Sequence, residues 1–245
     1  SVTSFNLVIN GQGHTIDFGQ AYTGFATGST MNSNIIINDL TMYGQSWWGP
    51  VSYYGDGTPV SGVQHNLIYK DVTYTGSQLA WSNTANIEIY GTVKVNSVTS
   101  YTSAWGTIVS LSNTTAGNDQ QNFQATTLTI EDNAHYIGTT AGGTFFSMTS
   151  TGSTTAGLTV GANATVELDR LGNTTPETPV GYKSAIYIQG NMTLEKGSTV
   201  TINGDTQTGT TASTLFDIID LTTGGNLNLG EDSNLIINNK YGSVY

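Results

Sequence analysis

Asn34–Gly44 reads NIIINDLTMYG. Ile35 to Ile37 is a short β-branched run, Asn38-Asp39 makes a polar corner, and Leu40 to Tyr43 resumes an alternating pattern. An apolar run broken by a turn pair and followed by period-two alternation predicts strand, corner, strand. Similar phrases return at Asn66–Gly76 (NLIYKDVTYTG), Asn86–Asn96 (NIEIYGTVKVN), Leu128–Gly138 (LTIEDNAHYIG), Leu158–Asp169 (LTVGANATVELD) and Ile186–Gly197 (IYIQGNMTLEKG). A unit that recurs every few tens of residues predicts a solenoid rather than a chain folded once around a single core.

Period-two alternation assigns faces. Ile35/Ile37, Leu67/Tyr69, Ile87/Ile89, Leu128/Ile130, Leu158/Val160 and Ile186/Ile188 are expected to point inward and to stack, coil over coil, at about 4.8 Å. A weaker strand at Thr107–Leu111 is placed between the third and fourth phrases. Phe216–Asp220, Leu227–Leu229 and Leu235–Ile237 continue the pattern. No segment carries a helical period, so the expected fold class is all-β, a parallel β-solenoid with loop excursions.

Composition bounds the function. Charged residues are 9% of the 245, against about 25% in ordinary soluble domains, so the surface is neutral-polar. Acidic residues outnumber basic ones 17 to 6, for a net charge of −11. Binding to nucleic acid needs a basic footprint that this chain lacks. The absence of cysteine excludes a disulfide framework and thiolate metal sites, and fits a bacterial surface better than an animal extracellular space. No apolar run reaches the roughly 18 residues of a membrane span. The opening SVTSFNLVING enters a strand almost at once, with nothing to cover its edge. Residues 1–245 therefore read as one monomeric domain cut from a longer surface protein.

Leu7–Gly19 (LVINGQGHTIDFG) predicts two strands joined by a glycine turn, since Gly11 and Gly13 can supply positive φ. Its G-Q-G is no dinucleotide fingerprint: the third glycine and the following helix are missing. Residues 20–33 read as a small-residue loop. Asp39, Asp71 and Asp132 are placed at one corner position, with Gly91 and Gly190 taking it elsewhere, as left-handed backbone requires. Calcium on these aspartates is the sharper alternative, but no dense loop of oxygen ligands is present. Excursions at 44–64, 75–85, 97–105, 112–122, 139–157, 170–184 and 205–214 leave the coil body. They carry Trp47, Trp48, Tyr53 and Tyr54, then Trp81, then Tyr101 and Trp105.

The LVINGQGHTIDFG opening together with NIIINDLTMYG and NLIYKDVTYTG resembles the pectate-lyase-like adhesive domains of Gram-positive surface proteins, most closely the binding region of serine-rich repeat adhesins of lactobacilli. The specific wording ends near Gly76. The resemblance implies a right-handed parallel β-solenoid on the cell wall that binds host glycoproteins or pectin-like acidic polysaccharide. True lyases of this fold hold calcium with acidic side chains and use an arginine as base. The single arginine here, Arg170, reads as a loop residue beside Asp169, and no acidic cluster matches a calcium site.

Catalysis finds little else to stand on. His14, His65 and His135 lie in different rungs, with no serine and acid brought to any of them. Glu88 and Glu131 are outward candidates for a glycosidase pair, with a strand expected between them. Sugar binding fits better, because a sugar face packs on an aromatic ring while polar neighbours orient it. Asn38, Lys70 and Tyr90 occupy equivalent outward positions in successive rungs, a stripe suited to an extended polymer, with Trp81 and Trp105 as walls and Trp48 and Tyr54 nearby. Lys70, Lys94, Arg170 and Lys183 are the cations available to a uronic or sialic carboxylate. No cofactor or metal is expected. The reading is a non-catalytic adhesin; a polysaccharide lyase of the same fold and a purely structural stalk are the alternatives.

Overall fold

The computed structural model describes residues 4–19, 24–28, 30–44, 49–54, 62–76, 78–81, 85–97, 101–102, 108–109, 121–140, 144–150, 155–170, 184–204, 218–221 and 224–239. These form a β-solenoid with no helix among the described residues. The first coil holds β1 (Ser4–Asp17) and β2 (Phe25–Gly28), the second β3 (Asn32–Gly44) and β4 (Val51–Tyr54), the third β5 (His65–Gly76) and β6 (Ala80–Trp81). The fourth holds β7 (Ala85–Ser97), a hairpin of β8 (Tyr101–Thr102) and β9 (Ile108–Val109), and β10 (Gln121–Ala125). The fifth is β11 (Thr127–Ile130), β12 (His135–Thr140) and β13 (Thr144–Met148); the sixth is β14 (Ala156–Val160), β15 (Thr165–Arg170) and β16 (Ile186–Ile188). The seventh is β17 (Gly190–Leu194), β18 (Thr199–Gly204) and β19 (Ile219–Leu221), and β20 (Leu227–Leu229) with β21 (Asn234–Asn239) makes the last.

A 12-stranded parallel sheet supplies two walls and a 7-stranded sheet the third. The two walls share one sheet because the early corners are tight. Asp39 (φ 50°), Asp71 (φ 52°) and Gly91 (φ 59°) turn the chain in a single left-handed residue, so β3, β5 and β7 each run through the corner unbroken. Later corners are longer and split each strand in two, with Asn133, Asn163, Gly197 and Asp232 in the left-handed position. Asn, Asp and Gly are the residues that tolerate it at least cost.

The first-wall register stacks Ile35 on Leu67, Ile87, Leu128 and Leu158, and Ile37 on Tyr69, Ile89, Ile130 and Val160. All ten are buried, as alternation predicts. Leu40, Val72, Val93, Tyr136, Val166 and Val200 make the matching ladder of the second wall. Tyr69 reaches toward the third wall and donates its hydroxyl to the Leu79 carbonyl at 3.0 Å. The interior is closed by Phe145 and Phe146, both fully buried in β13.

Several expected placements change. Ile186 and Ile188 are buried, but on the third wall, paired with Phe146 and Met148; the first-wall ladder continues instead through Met192 and Leu194. Gly190 begins β17 opposite Ala156 and is not a corner. In the fifth coil the left-handed residue is Asn133, one place after Asp132. The excursions at 44–64, 75–85, 112–122 and 139–157 contain or reach third-wall strands β4, β6, β10 and β13, and the 20–33 loop contains β2. Of the strand placed at 107–111, the described part is Ile108–Val109, which pairs antiparallel with Tyr101–Thr102 and not with a described strand of the coil walls; 107, 110 and 111 lie outside the described residues.

Two consequences are measurable. Ile89 is fully buried between Tyr69 and Ile130, so Ile89→Ala is expected to cost about 2–5 kcal/mol in urea unfolding. His65 is buried with its Nδ1 2.9 Å from Ser33 Oγ, and burial lowers its pKa from 6.5 to about 4. The native ring stays neutral while the unfolded ring takes a proton, so stability falls as pH drops below about 6.5 and levels off below about 4. The loss is at most about 3 kcal/mol. His65→Gln should remove that component from the pH dependence of Tm; an unchanged slope between pH 4 and 6.5 would contradict the assignment.

Candidate functional site

The outward face of the first wall carries three parallel rows. In the row nearest the corner, Asn10 stands opposite Asn38, Asn38 opposite Lys70, and Lys70 opposite Tyr90. The stripe expected from alternation is therefore continuous on one wall, and it starts one coil earlier than anticipated. Asn38 donates to Asn10 Oδ1 at 3.4 Å. Lys70 is exposed, and Tyr90 is 36% exposed.

Tyr90 is held rather than free. Its hydroxyl donates to Glu88 Oε2 at 3.0 Å. Partial burial, that hydrogen bond, and the charges of Glu88 and then Glu131 push its pKa up to about 12. Glu131 comes next along the row, since its backbone N–H bonds the Ile89 carbonyl at 2.9 Å. Burial, then Glu88, then Asp132 raise the Glu131 pKa. No strand separates Glu88 from Glu131: β11 lies directly on β7, and Ile108–Val109, from the stretch expected to intervene, pairs with Tyr101–Thr102 instead. The row thus runs from neutral amides through one cation to an aromatic ring and one carboxylate, with Glu88 beside it in the next row.

The middle row is Val8, Ile36 and Ile68, then Glu88 and Thr129. Beyond it lies a row that sequence reasoning missed. Asn34 donates to Asn6 Oδ1 at 2.9 Å, Asn66 to Asn34 at 2.8 Å and Asn86 to Asn66 at 3.4 Å, and Thr127 Oγ1 closes the run onto Asn86 at 2.8 Å. The signal was present: Asn opens each of the first three phrases, directly before an inward residue.

Other expected members fall elsewhere. Lys94 lies on the second wall, exposed between Thr73 and Ile137. Arg170 ends strand β15 rather than sitting in a loop, and is buried at 4% exposure, so it is not presented to a ligand. Trp81 belongs to β6 of the third wall, opposite Gln124, and Tyr54 to β4 of that wall, opposite Gly28; neither strand borders the row. Trp47, Trp48, Trp105 and Lys183 lie outside the described residues.

The corner aspartates have a structural occupation. Asp71 Oδ1 accepts the Thr92 amide at 2.9 Å and Asp132 Oδ1 the Ala162 amide at 2.8 Å, each tying one coil to the next. No group of three or more His, Cys, Asp or Glu side chains converges among the described residues. On the second wall His135 Nε2 meets Glu167 Oε1 at 2.8 Å, with neither His14 nor His65 nearby in register. No described helix is long and apolar enough to cross a membrane.

Residues 1–81 match the family model of a pectate lyase-like adhesive domain. Among solved structures, the serine-rich repeat protein described as L. reuteri 53608 SRRP is similar over 95% of this chain and 85% of that chain, at 18% identity and a TM-score of 0.58. At that identity the likeness is one of fold. No curated protein matches the chain. The resemblance drawn from the opening phrases is thus found where those phrases lie, and the solenoid is found over nearly the full length.

The Tyr90–Glu88 bond is checkable. Glu88→Gln removes a charge and a strong acceptor while leaving burial in place, so the Tyr90 pKa should fall from about 12 part of the way toward 10. Tyrosine-labelled NMR near pH 11 should show Tyr90 more ionised in the variant than in the wild type. Equal ionisation would mean that the carboxylate does not hold the hydroxyl.

Proposed function

We propose that the chain is a non-catalytic adhesin domain, displayed outside a bacterial cell, that lays an extended glycan of a host mucin-type glycoprotein or a pectin-like polysaccharide along the outward face of its first wall. The observation that carries the reading is the register Asn10–Asn38–Lys70–Tyr90. Side chains far apart in sequence form a straight track whose step is the coil spacing of about 4.8 Å, close to the length of one sugar residue in an extended chain. The track offers amides for hydroxyls, a fixed ring for a sugar face, and an ammonium for a carboxylate. The description of the family that matches residues 1–81 supports adhesion. The burial of Arg170 and the engagement of the Asp71 and Asp132 carboxylates on backbone amides support binding over lyase chemistry.

A glycan array read with and without calcium, beside an assay for unsaturated uronides released from polygalacturonate, tests the reading. Binding without product is expected; calcium-dependent release of product would replace the adhesin with a lyase. Tyr90→Ala should weaken glycan binding about tenfold, or about 1.4 kcal/mol.

Acidic glycans should bind better as pH falls. The net charge of −11 opposes a polyanion. Glu131, faced by Glu88 and Tyr90 of β7 and by neighbouring Asp132, has a raised pKa and is neutralised ahead of an ordinary glutamate. With Glu131 neutralised, less negative charge stands along the row from the Lys70 ammonium, and the local balance turns favourable. Affinity for oligogalacturonate should rise from pH 7.5 to 4.5, and Glu131→Gln should raise the neutral-pH value and flatten the profile. A profile that is flat in the wild type, or that peaks at neutral pH, counts against this.

A further inference from the structure

The rows on the first wall differ in charge from coil to coil. In the first two coils the surface is Asn10 beside Val8 and Asn38 beside Ile36; in the third it is Lys70 beside Ile68. One coil on, it is Tyr90 beside Glu88, and one further, Glu131 beside Thr129; the corner next to the row carries an aspartate in the second, third and fifth coils alike, Asp39, Asp71 and Asp132. The corner aspartates thus recur on both sides of the change, and within three coil steps of about 4.8 Å it is the strand rows that pass from uncharged to positive to negative. Among the described residues Lys70 makes no ion pair, whereas His135 pairs with Glu167 and Lys196 with Glu231.

Building on the reading of this row as a glycan site, we infer that its ligand is a heteroglycan with one isolated carboxylate, seated at Lys70 and flanked by neutral sugars, rather than a polyanion with an acid on every residue. An evenly acidic polymer laid along the track would set one carboxylate on Lys70 and the next ones against Glu88 and Glu131. One ammonium does not offset two carboxylates, and like charges at this spacing repel. A neutral sugar meets the same surface differently. Its C–H face packs on Tyr90, whose ring is oriented by the 3.0 Å bond to Glu88. Its hydroxyls donate to Glu88 and Glu131, since a carboxylate has about four acceptor positions and Glu88 gives one to Tyr90. On the other side of Lys70, the sugar lies over Ile36 and Ile68, between the Asn34–Asn66 amides and Asn38. Each of those asparagines gives one N–H to its neighbour and has a second to offer.

Three probes of equal length decide the matter at neutral pH and moderate salt: a neutral galactose-containing oligosaccharide, the same oligosaccharide bearing one sialic acid, and oligogalacturonate. Surface-immobilised domain, with folding of every variant confirmed by circular dichroism, is titrated with each. The singly acidic probe should bind at least tenfold more tightly than either of the others. Lys70→Gln should bring it down to the level of the neutral probe. Glu131→Gln should improve oligogalacturonate several-fold, and Lys196→Gln, the same charge loss as Lys70→Gln but four coils further along and paired with Glu231, should alter nothing. Oligogalacturonate binding as well as the singly acidic probe, neutral and singly acidic probes binding alike, or a preference that survives Lys70→Gln would overturn the inference and leave a glycan-binding row in place. Failure of all three probes to bind would overturn the row as a glycan site altogether.

Discussion

Parallel hydrogen bonding between coils, held in one register, is the constraint on which every other feature rests. Side chains alternate faces with a period of two, so a slip of one residue between coils would expel a whole ladder from the core. The buried pairs Ile35/Ile37 through Leu158/Val160 prevent that slip on the inside. On the outside the same register aligns residues that have no reason of their own to be neighbours. Asn38, Lys70 and Tyr90 share a row because Ile37, Tyr69 and Ile89 share a core position. The candidate site is thus a by-product of packing, with its composition free to vary where the backbone is not.

That independence explains what could be read from the chain. The first five phrases were legible because each holds a strongly apolar pair before its corner and the inward period is unbroken. The sixth misled for a physical reason. Ile186, Ile188, Gly190, Met192 and Leu194 keep perfect alternation through a bend between the third wall and the first, and a pattern rule has no way to see a bend that costs no apolar position. The strand expected at 107–111 misled in the opposite sense: its described part, Ile108–Val109, pairs locally with Tyr101–Thr102 and not with a described strand of the coil walls. Removing that false coil brought Glu88 and Glu131 together.

The aspartates show how one residue type serves two purposes that sequence cannot separate. A carboxylate at a corner suggests a cation ligand, yet a left-handed turn also exposes an amide of the next coil that needs an acceptor. Asp71 and Asp132 meet that need. Arg170 was misplaced for a related reason: in a chain so poor in charge, a lone cation invites a functional role, whereas its position at the end of β15 buries it.

The asparagine run on the outer face has a sense as well as an axis. Asn34, Asn66 and Asn86 each direct an N–H toward the first coil and a carbonyl toward the last, so their dipoles add head to tail and each bond polarises the next. A sugar chain is itself directional, with chemically distinct ends. On the proposed reading, contact with such a vectorial surface would distinguish the two ways of laying that chain down, and so orient whatever the glycan is attached to.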